Sequence, residues 1–380
     1  MNLRTIKRPE ERFDVSYLST YGIKAYGIDN LAPQNWALAI ANSPTGSVCL
    51  NRYARFIEGG GFRDVAFSEM LVNRQGDTVD DLFKLCAEDL ALYNGVALHV
   101  NYDVNGAICE VQHVPFEQCR LKEDDDSGYI SHIAVHPDWS GRKTRNGRRM
   151  RVSEDSITYY DVFNTLPPVL AAQIAAAGGI ESYRGQVLWV SAAGRHLYPR
   201  PKYDAVVTEL STDEGLSNVK CRNVRNNFFG AGILYTYNAS AEDPDIDTGD
   251  GYSDLLAHLQ GDTDAFKLME IRLRANEQKP ELVAFPSTSF DKEFSVTEES
   301  VTDRIYSAFE QEAFLAVRNG KIGFGGTVIE DAYRYYAALV SKEQRLLSRA
   351  FARIFDHWYA PVSGNYDIEP LTFSNSTTNE

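Results

Sequence analysis

The stretch 78–114, TVDDLFKLCAEDLALYNGVALHVNYDVNGAICEVQHV, decides the fold class. Thr78 and Asp81 stand at capping-box spacing, and Leu82, Phe83, Cys86, Leu90 and Tyr93 recur on one face of a helix over Val79 to Tyr93. Asn94-Gly95 closes that helix. The alternation of VALHVNYDV, the pair Asn105-Gly106 and then AICEVQHV predict two antiparallel strands joined by a type I′ turn. A helix leading straight into a hairpin implies an α+β fold.

Working outward, residues 1–32 show little periodicity and read as an N-terminal arm. Pro33 to Ala41 is helical, and Ser43-Pro44, a cap followed by proline at the first helical position, opens a second helix that ends near Gly59-Gly60-Gly61. Beyond the hairpin, strands are expected at Cys119–Leu121, Tyr129–Val135 and Gln186–Val190, and a short helix at Leu166–Ala177. Two charged loops interrupt them, Glu123-Asp124-Asp125-Asp126 and a basic run with Arg142, Lys143, Arg145, Arg148, Arg149 and Arg151.

A largely polar helix follows over Tyr203–Phe229, with Gly215 a point where it can break. After the acidic linker SAEDPDIDTGDG come a short helix at Ser253–Leu259 and strands KLMEIRL and ELVAF, joined by a turn at Asn276–Pro280. Ser295-x-x-Glu298 is read as the cap of a helix running to Val317. The glycine-rich loop NGKIGFGGT then precedes Thr327-x-x-Glu330, the opening of a helix that reaches Trp358 with Ile329, Ala332, Tyr336, Leu339, Leu347, Ala350 and Ile354 on one stripe. The polar residues after Pro370 read as a flexible tail.

The bulk numbers narrow the functional classes. With 380 residues and 43% apolar content the chain can build a substantial core. No run approaches the roughly 18 apolar residues of a membrane span, and the charged start MNLRTIKRPEERF is unlike a signal peptide, so a cytosolic site of synthesis and assembly is expected. Five scattered cysteines, Cys49, Cys86, Cys109, Cys119 and Cys221, form no C-x-x-C and suggest neither a zinc cluster nor a disulfide framework. A net charge of −15 argues against a protein that coats DNA by neutralising phosphates, yet suits a tube wall past which a polyanion slides.

Candidate chemistry is sparse. His132 and His136 are four apart in a strand-like segment, which separates them by about 13 Å on one face, too far for one metal to bridge unaided. Asp243, Asp245, Asp247 and Asp254 imitate a calcium loop, but Thr248 stands where glycine is needed and no final glutamate follows. The glycines from Gly320 to Gly326 lack the G-K-[ST] of a phosphate loop. No G-x-S-x-G and no H-E-x-x-H occurs, and no cysteine stands beside a plausible base. The sequence thus gives no catalytic residue, no metal site and no cofactor. The basic run has two readings, a contact with an acidic stretch such as Glu123–Asp126 of a neighbouring copy or a contact with nucleic acid.

The order of motifs is more telling than any one of them. LALYNG, the hairpin, PFEQCRL, VLWVS, Tyr198-Pro199, NNFFGAGIL and VTDRIYSAF together resemble a tailed-bacteriophage portal protein, or head-tail connector, over residues 33–360. The chain departs from that family at Asn94-Gly95, at His196–Pro199 and after Ile305–Phe309, which marks a divergent branch.

The resemblance implies a non-enzymatic, dodecameric ring of identical subunits at one capsid vertex of the virion, assembled in a bacterial host cytoplasm. Double-stranded DNA would be packaged and ejected through it without sequence specificity. It implies an α/β wing over 33–202, stem helices over 203–229 and 295–318, and a small α/β clip over 230–294. A tunnel loop over 319–327 and a long channel or wing helix over 328–360 complete it. The tunnel loop, with Arg318, Asn319, Gly320, Lys321, Gly323, Gly325 and Gly326, would face DNA; its glycines allow it to flex and its cations meet phosphates transiently. Arg142, Lys143, Arg145, Arg148 and Arg149 would lie between subunits. The implied partners are the large terminase subunit, the major capsid or scaffolding protein and a tail adaptor, with no membrane. Two competing readings remain: a metal-dependent hydrolase using Asp243–Asp254, and another head-tail adaptor, which would lack a mixed insertion between two long helices.

Overall fold

The computed structural model describes residues 17–18, 21–142, 144–145, 148–149, 151–192, 196–225, 232–237, 268–273, 290–320 and 326–373. It divides into two units, Met1–Leu210 with Asp303–Glu380, and Ser211–Thr302.

In the larger unit, α1 (Ala32–Asn42) and α2 (Pro44–Glu58) form as read: the Ser43 side chain accepts from Gly46 N (2.9 Å) and Pro44 fills the first turn. The short α3 (Val65–Ser68) leads to α4 (Val79–Tyr93), whose capping box is complete, with Thr78 N donating to Asp81 Oδ2 (3.0 Å) and Asp81 N to Thr78 Oγ1 (3.1 Å). Asn94 takes the left-handed conformation at φ 59° and so ends α4, and a Cβ on Gly95 would run into the Phe116 ring.

After the two-residue strands β1 (Tyr17–Leu18) and β2 (Ile23–Lys24), the main strands are β3 (Gly95–Tyr102), β4 (Ile108–Val114), β5 (Cys119–Leu121) and β6 (His132–Val135). The hairpin β3–β4 is present but its turn differs from the type I′ expectation. Asn105 keeps a negative φ, Gly106 at φ 80° supplies the left-handed residue, and Gly106 N donates to Asp103 O (3.1 Å), which centres the turn on Val104-Asn105. Asp103 decides this by accepting from Asn105 N (2.9 Å) and Ala107 N (2.8 Å).

The basic run is not a plain loop. It contains β7 (Thr144–Arg145) paired antiparallel with β8 (Arg148–Arg149). A strand not anticipated, β9 (Thr158–Val162), lies parallel to β10 (Gln186–Ser191), and α5 (Pro167–Ala176) crosses between them. The six-stranded sheet has the order β4-β3-β10-β9-β6-β5. Residues 21–31, the end of the aperiodic stretch, belong to the packed body: Ile23, Ala25 and Tyr26 are buried. Their anchor is the fully buried Arg120, whose guanidinium donates to Asn30 Oδ1 and Asn30 O (both 2.6 Å), Cys119 O (2.7 Å) and Glu117 O (2.9 Å).

A 3₁₀ turn at Lys202–Val206 starts α6 (Val207–Arg225), which runs through Gly215 without a break. Its return partner, α7 (Phe290–Ala308), begins before Ser295, so Ser295 lies inside the helix and is not its cap. Nor does it reach Val317. Glu310, at φ 57°, terminates it in a Schellman arrangement, with Gln311 N donating to Tyr306 O (2.9 Å) and Glu310 N to Ser307 O (3.0 Å), and α8 (Glu312–Arg318) starts afresh. Glutamate occupies the position that glycine usually signals, so the sequence shows no stop there.

The long helix is likewise two. It starts at Gly326, not after Thr327, as α9 (Gly326–Leu339), and after Val340 continues as α10 (Ser341–Phe355). Most of the stripe is buried as expected, including Ala332, Tyr336, Leu347, Ala350 and Ile354, but Trp358 lies past the helix end. There the chain joins the hairpin, with Ile108 N donating to His357 O (3.0 Å) and Tyr359 N to Ile108 O (2.8 Å). Of the tail expected to be flexible over 361–380, the part up to Glu369 is packed: Gly60 N donates to Glu369 O (2.7 Å), Arg63 N to Asp367 O (2.9 Å), and Tyr366 is buried, while 374–380 lie outside the described residues.

In the smaller unit, β11 (Gly232–Tyr237) pairs in parallel with β12 (Leu268–Leu273), from Gly232↔Leu268 to Tyr237↔Leu273. The sequence ends the polar helix at Phe229, offers no strand over 232–237, and joins 267–273 to ELVAF through a turn. Residues 232–237 are a strand, whose Ile-Leu-Tyr-Thr-Tyr run suits one; ELVAF, the acidic linker and Ser253–Leu259 lie outside the described residues.

Candidate functional site

The expected loop residues begin at the end of α8. Arg318, Asn319 and Gly320 are exposed, Gly320 has φ 66°, and Gly326 is the first residue of α9. Lys321, Gly323 and Gly325 lie outside the described residues. Arg318 Nη1 approaches the Tyr306 hydroxyl at 3.4 Å, a weak tether that leaves its charge at the surface. Aromatic packing holds the two ends of the loop: Phe314 of α8 meets Tyr333 and Tyr336 of α9 at ring distances of 5.8 and 5.6 Å, and all three surround Phe56 of α2.

Beneath this lies a polar knot that sequence reading missed. Gln311, fully buried, donates from Nε2 to Cys49 O and to the Tyr336 hydroxyl (both 2.9 Å), while its Oε1 accepts from Arg52 Nη1 (2.7 Å). The Tyr336 hydroxyl in turn donates to Phe309 O (2.9 Å), the carbonyl beside the helix break. Arg52 also lies over the Phe314 ring at 4.7 Å. Thus α2, the α7–α8 joint and α9 share one network.

A second clamp adjoins it. Lys202 Nζ reaches Glu310 Oε2 and Glu343 Oε1 (both 3.2 Å) and lies over the Tyr53 ring at 4.8 Å, while the Tyr53 hydroxyl donates to Glu343 Oε1 (3.0 Å). Burial first, and then the Glu343 charge, push the Tyr53 hydroxyl far above its usual range. No sequence signal marks these residues, because Gln311, Arg52, Lys202 and Glu343 are far apart in the chain.

The paired helices are laced by charge within each unit. In the larger unit Arg304 Nη1 meets Glu209 Oε1 at 3.0 Å; in the smaller, Lys220 pairs with Glu298 and lies 5.8 Å from the Phe294 ring centre.

The basic hairpin extends from the connection between β6 and β9, on different elements from the loop at Arg318. Arg142 and Arg151 are exposed, Arg145 and Arg148 are direct cross-strand partners, and Lys143 lies outside the described residues.

Several titratable groups are shifted by their surroundings. Burial lowers Arg120 to about 10, still charged at neutral pH, and the Arg74 guanidinium holds Glu110 down at about 2. Burial raises Asp89 despite its 2.7 Å contact with His113. His132 lies 3.3 Å from Asp161, and His136 is fully buried with Nδ1 accepting from Asp138 N (3.1 Å). Among the described residues no three His, Cys, Asp or Glu side chains converge as metal ligands, and Asp243–Asp254 lie outside them. Among the described residues, too, no helix is long and apolar enough to cross a membrane. A groove of about 350 Å³ between α9, α10 and the C-terminal segment is lined by Tyr333, Ala337, Gln344, Leu371 and Phe373 among others.

No protein-family model matches the sequence, and comparison with the curated proteins gives no match. Among solved structures, a chain of the neck of a native GTA particle, computed with C12 symmetry, overlaps 90% of this chain and 84% of its own, with a TM-score of 0.50 and 14% identity. A chain of the virion of the native gene transfer agent particle covers 91% and 86% at TM-score 0.47 and 14% identity. An HK97-family phage portal protein from Corynebacterium diphtheriae covers 78% and 88% at TM-score 0.33 and 12% identity. At such identities the likeness is one of fold: this chain has the α+β fold of a chain in that particle neck.

Proposed function

We propose that this protein is a portal subunit. Copies of it form a ring, a dodecamer by family resemblance, at one vertex of a phage-like capsid, and double-stranded DNA enters and leaves through the ring. One observation carries the reading: α6 and α7 each begin in one unit and end in the other, and along the chain they enclose the strands β11 and β12, in a chain with the fold of a particle-neck component. The α/β body to Arg200 then serves as wing, α6 and α7 as stem, and residues 230–294 as the clip that docks the large terminase subunit and later a tail adaptor. Residues 318–326 are the loop that touches passing phosphates without reading sequence. The capsid or scaffolding protein is the partner of the wing.

The ring rests on no enzymatic step in this reading. Packing of α7, α8 and α9 through Gln311 gives the loop a rigid base against which it can yield. Electron microscopy of the purified full chain tests the proposal: rings with an open central channel are expected. Compact closed particles, or a DNA hydrolysis activity abolished by Asp245→Asn with Asp247→Asn, would overturn it.

A further inference from the structure

The outer face of α10 carries a row of cations. Lys342, Arg345, Arg349 and Arg353 follow one another at intervals of three or four residues, and at about 100° per residue all four fall within an arc of roughly 80°. All are exposed, and at about 1.5 Å per residue the row is about 16 Å long. The opposite face of the same helix is packed into the core, where Leu347, Phe351 and Ile354 are fully buried. The one carboxylate of the helix, Glu343, is turned inward as well: its Oε1 meets Lys202 Nζ (3.2 Å) and accepts from the Tyr53 hydroxyl (3.0 Å).

The row is not neutralised by the chain itself. Among the described residues none of the four cations forms an ion pair. Arg334 of α9 is the contrast, since it meets both Glu330 (3.4 Å) and Asp331 (3.5 Å). Arg353 lies over the Phe163 ring at 5.3 Å, which steadies the side chain and leaves its charge at the surface. Asp356, one turn past Arg353, accepts from the Tyr366 hydroxyl (2.8 Å) and closes the row at its C-terminal end. Like charges a turn apart on one helix repel each other, and a polyanion laid along them reverses the sign of that interaction. In a chain whose net charge is −15, positive charge is here concentrated without compensation.

We infer that this row on α10 is a second contact for duplex DNA, apart from the loop at 318–326, and that it holds phosphates without reading bases. On each strand of a duplex a phosphate recurs about every 3.4 Å of axis, so a row of about 16 Å laid along it faces about five phosphates of one strand. Three of the four cations are arginines, whose planar forks suit phosphate oxygens. A lipid surface fits poorly, because the apolar face of α10 lies in the core and only the charges would meet it. An acidic protein would bring the same sign of charge, and the choice of DNA over it rests on the reading of this chain as a DNA conduit.

Fluorescence anisotropy of the full chain with a labelled duplex of about 20 base pairs, over about 50 to 300 mM salt, tests it. Arg345→Gln with Arg349→Gln should weaken binding about tenfold or more at about 0.1 M salt and lower the slope of log K against log salt by about 2 for each copy in contact. The loss should be equal for two unrelated duplex sequences, with an unchanged circular dichroism melt. Arg334→Gln, whose charge is already matched, should change neither affinity nor slope. A double variant that binds with wild-type affinity and slope overturns the inference, as does a wild type that binds no duplex at low salt. Tighter binding of a poly-glutamate peptide than of the duplex, lost in the double variant, would assign the row to an acidic protein and refute the DNA contact. Electron microscopy of the same samples separates the two readings: open rings with an unaffected double variant leave the ring without this contact, and row-dependent DNA binding by closed particles leaves the contact without the ring.

Discussion

Replacing Gln311 by leucine keeps volume while removing the side chain that joins α2, the α7–α8 joint and α9. Three hydrogen bonds disappear: to Arg52 at 2.7 Å and to Cys49 O and the Tyr336 hydroxyl at 2.9 Å. Arg52 is partly exposed, so water takes over much of that bond and its loss costs about 1 kcal/mol, below the roughly 1.5–3 kcal/mol of a bond to a charged group. The Cys49 carbonyl sits in a buried segment of α2, and losing this donor costs about 1–2 kcal/mol. The Tyr336 hydroxyl still donates to Phe309 O and loses about 0.5–1 kcal/mol. The total expected for Gln311→Leu is about 2.5–4 kcal/mol, read from urea unfolding followed by circular dichroism. Tyr336→Phe alone and combined with Gln311→Leu completes a cycle, and the double variant should be about 0.5–2 kcal/mol less destabilised than the sum of the singles. A loss below about 1 kcal/mol, or strict additivity, would show that the knot does not hold the joint.

Three further outcomes follow from other contacts. Glu110, held at about 2 by Arg74, adds stability that is full above its ordinary pKa near 4.5 and is lost as pH falls toward 2; Glu110→Gln should flatten the acid limb of the stability profile by about 2–3 kcal/mol. Lys202→Met leaves Glu343 buried with only the Tyr53 hydroxyl, at an expected cost of about 1–2 kcal/mol given the partial exposure of Lys202, and adding Glu343→Gln should restore most of the thermal midpoint. Gly95→Ala drives a methyl into the Phe116 ring and should cost about 2–3 kcal/mol in chemical denaturation; an unchanged midpoint would mean that the ring moves aside freely.

Much of the fold was legible before any coordinate, and where it failed the failure has a cause. Thr78 with Asp81, and Ser43 with Pro44, announce helices because a cap is a local hydrogen bond between residues three apart. The hairpin was legible from alternation, yet its turn was misread, since Asp103 competes for the same amides and decides which residues lie at the centre. The break at Glu310 and the one at Val340 were invisible. Neither carries glycine or proline, and both are set by what the flanking turns bury.

The candidate loop was found by its glycines, and the hairpin by its charge, because composition travels with the chain. The base of the loop was not. Gln311 bonds Cys49 and Arg52 across some 260 positions, Lys202 joins Glu310 to Glu343, and Arg120 holds Asn30. By itself the sequence determined the local elements, the acidic balance and the order of motifs, since these depend on neighbours along the chain. Only the tertiary structure decided which distant polar groups meet, because burying a polar group demands a partner and the chain supplies that partner from wherever the packing brings it.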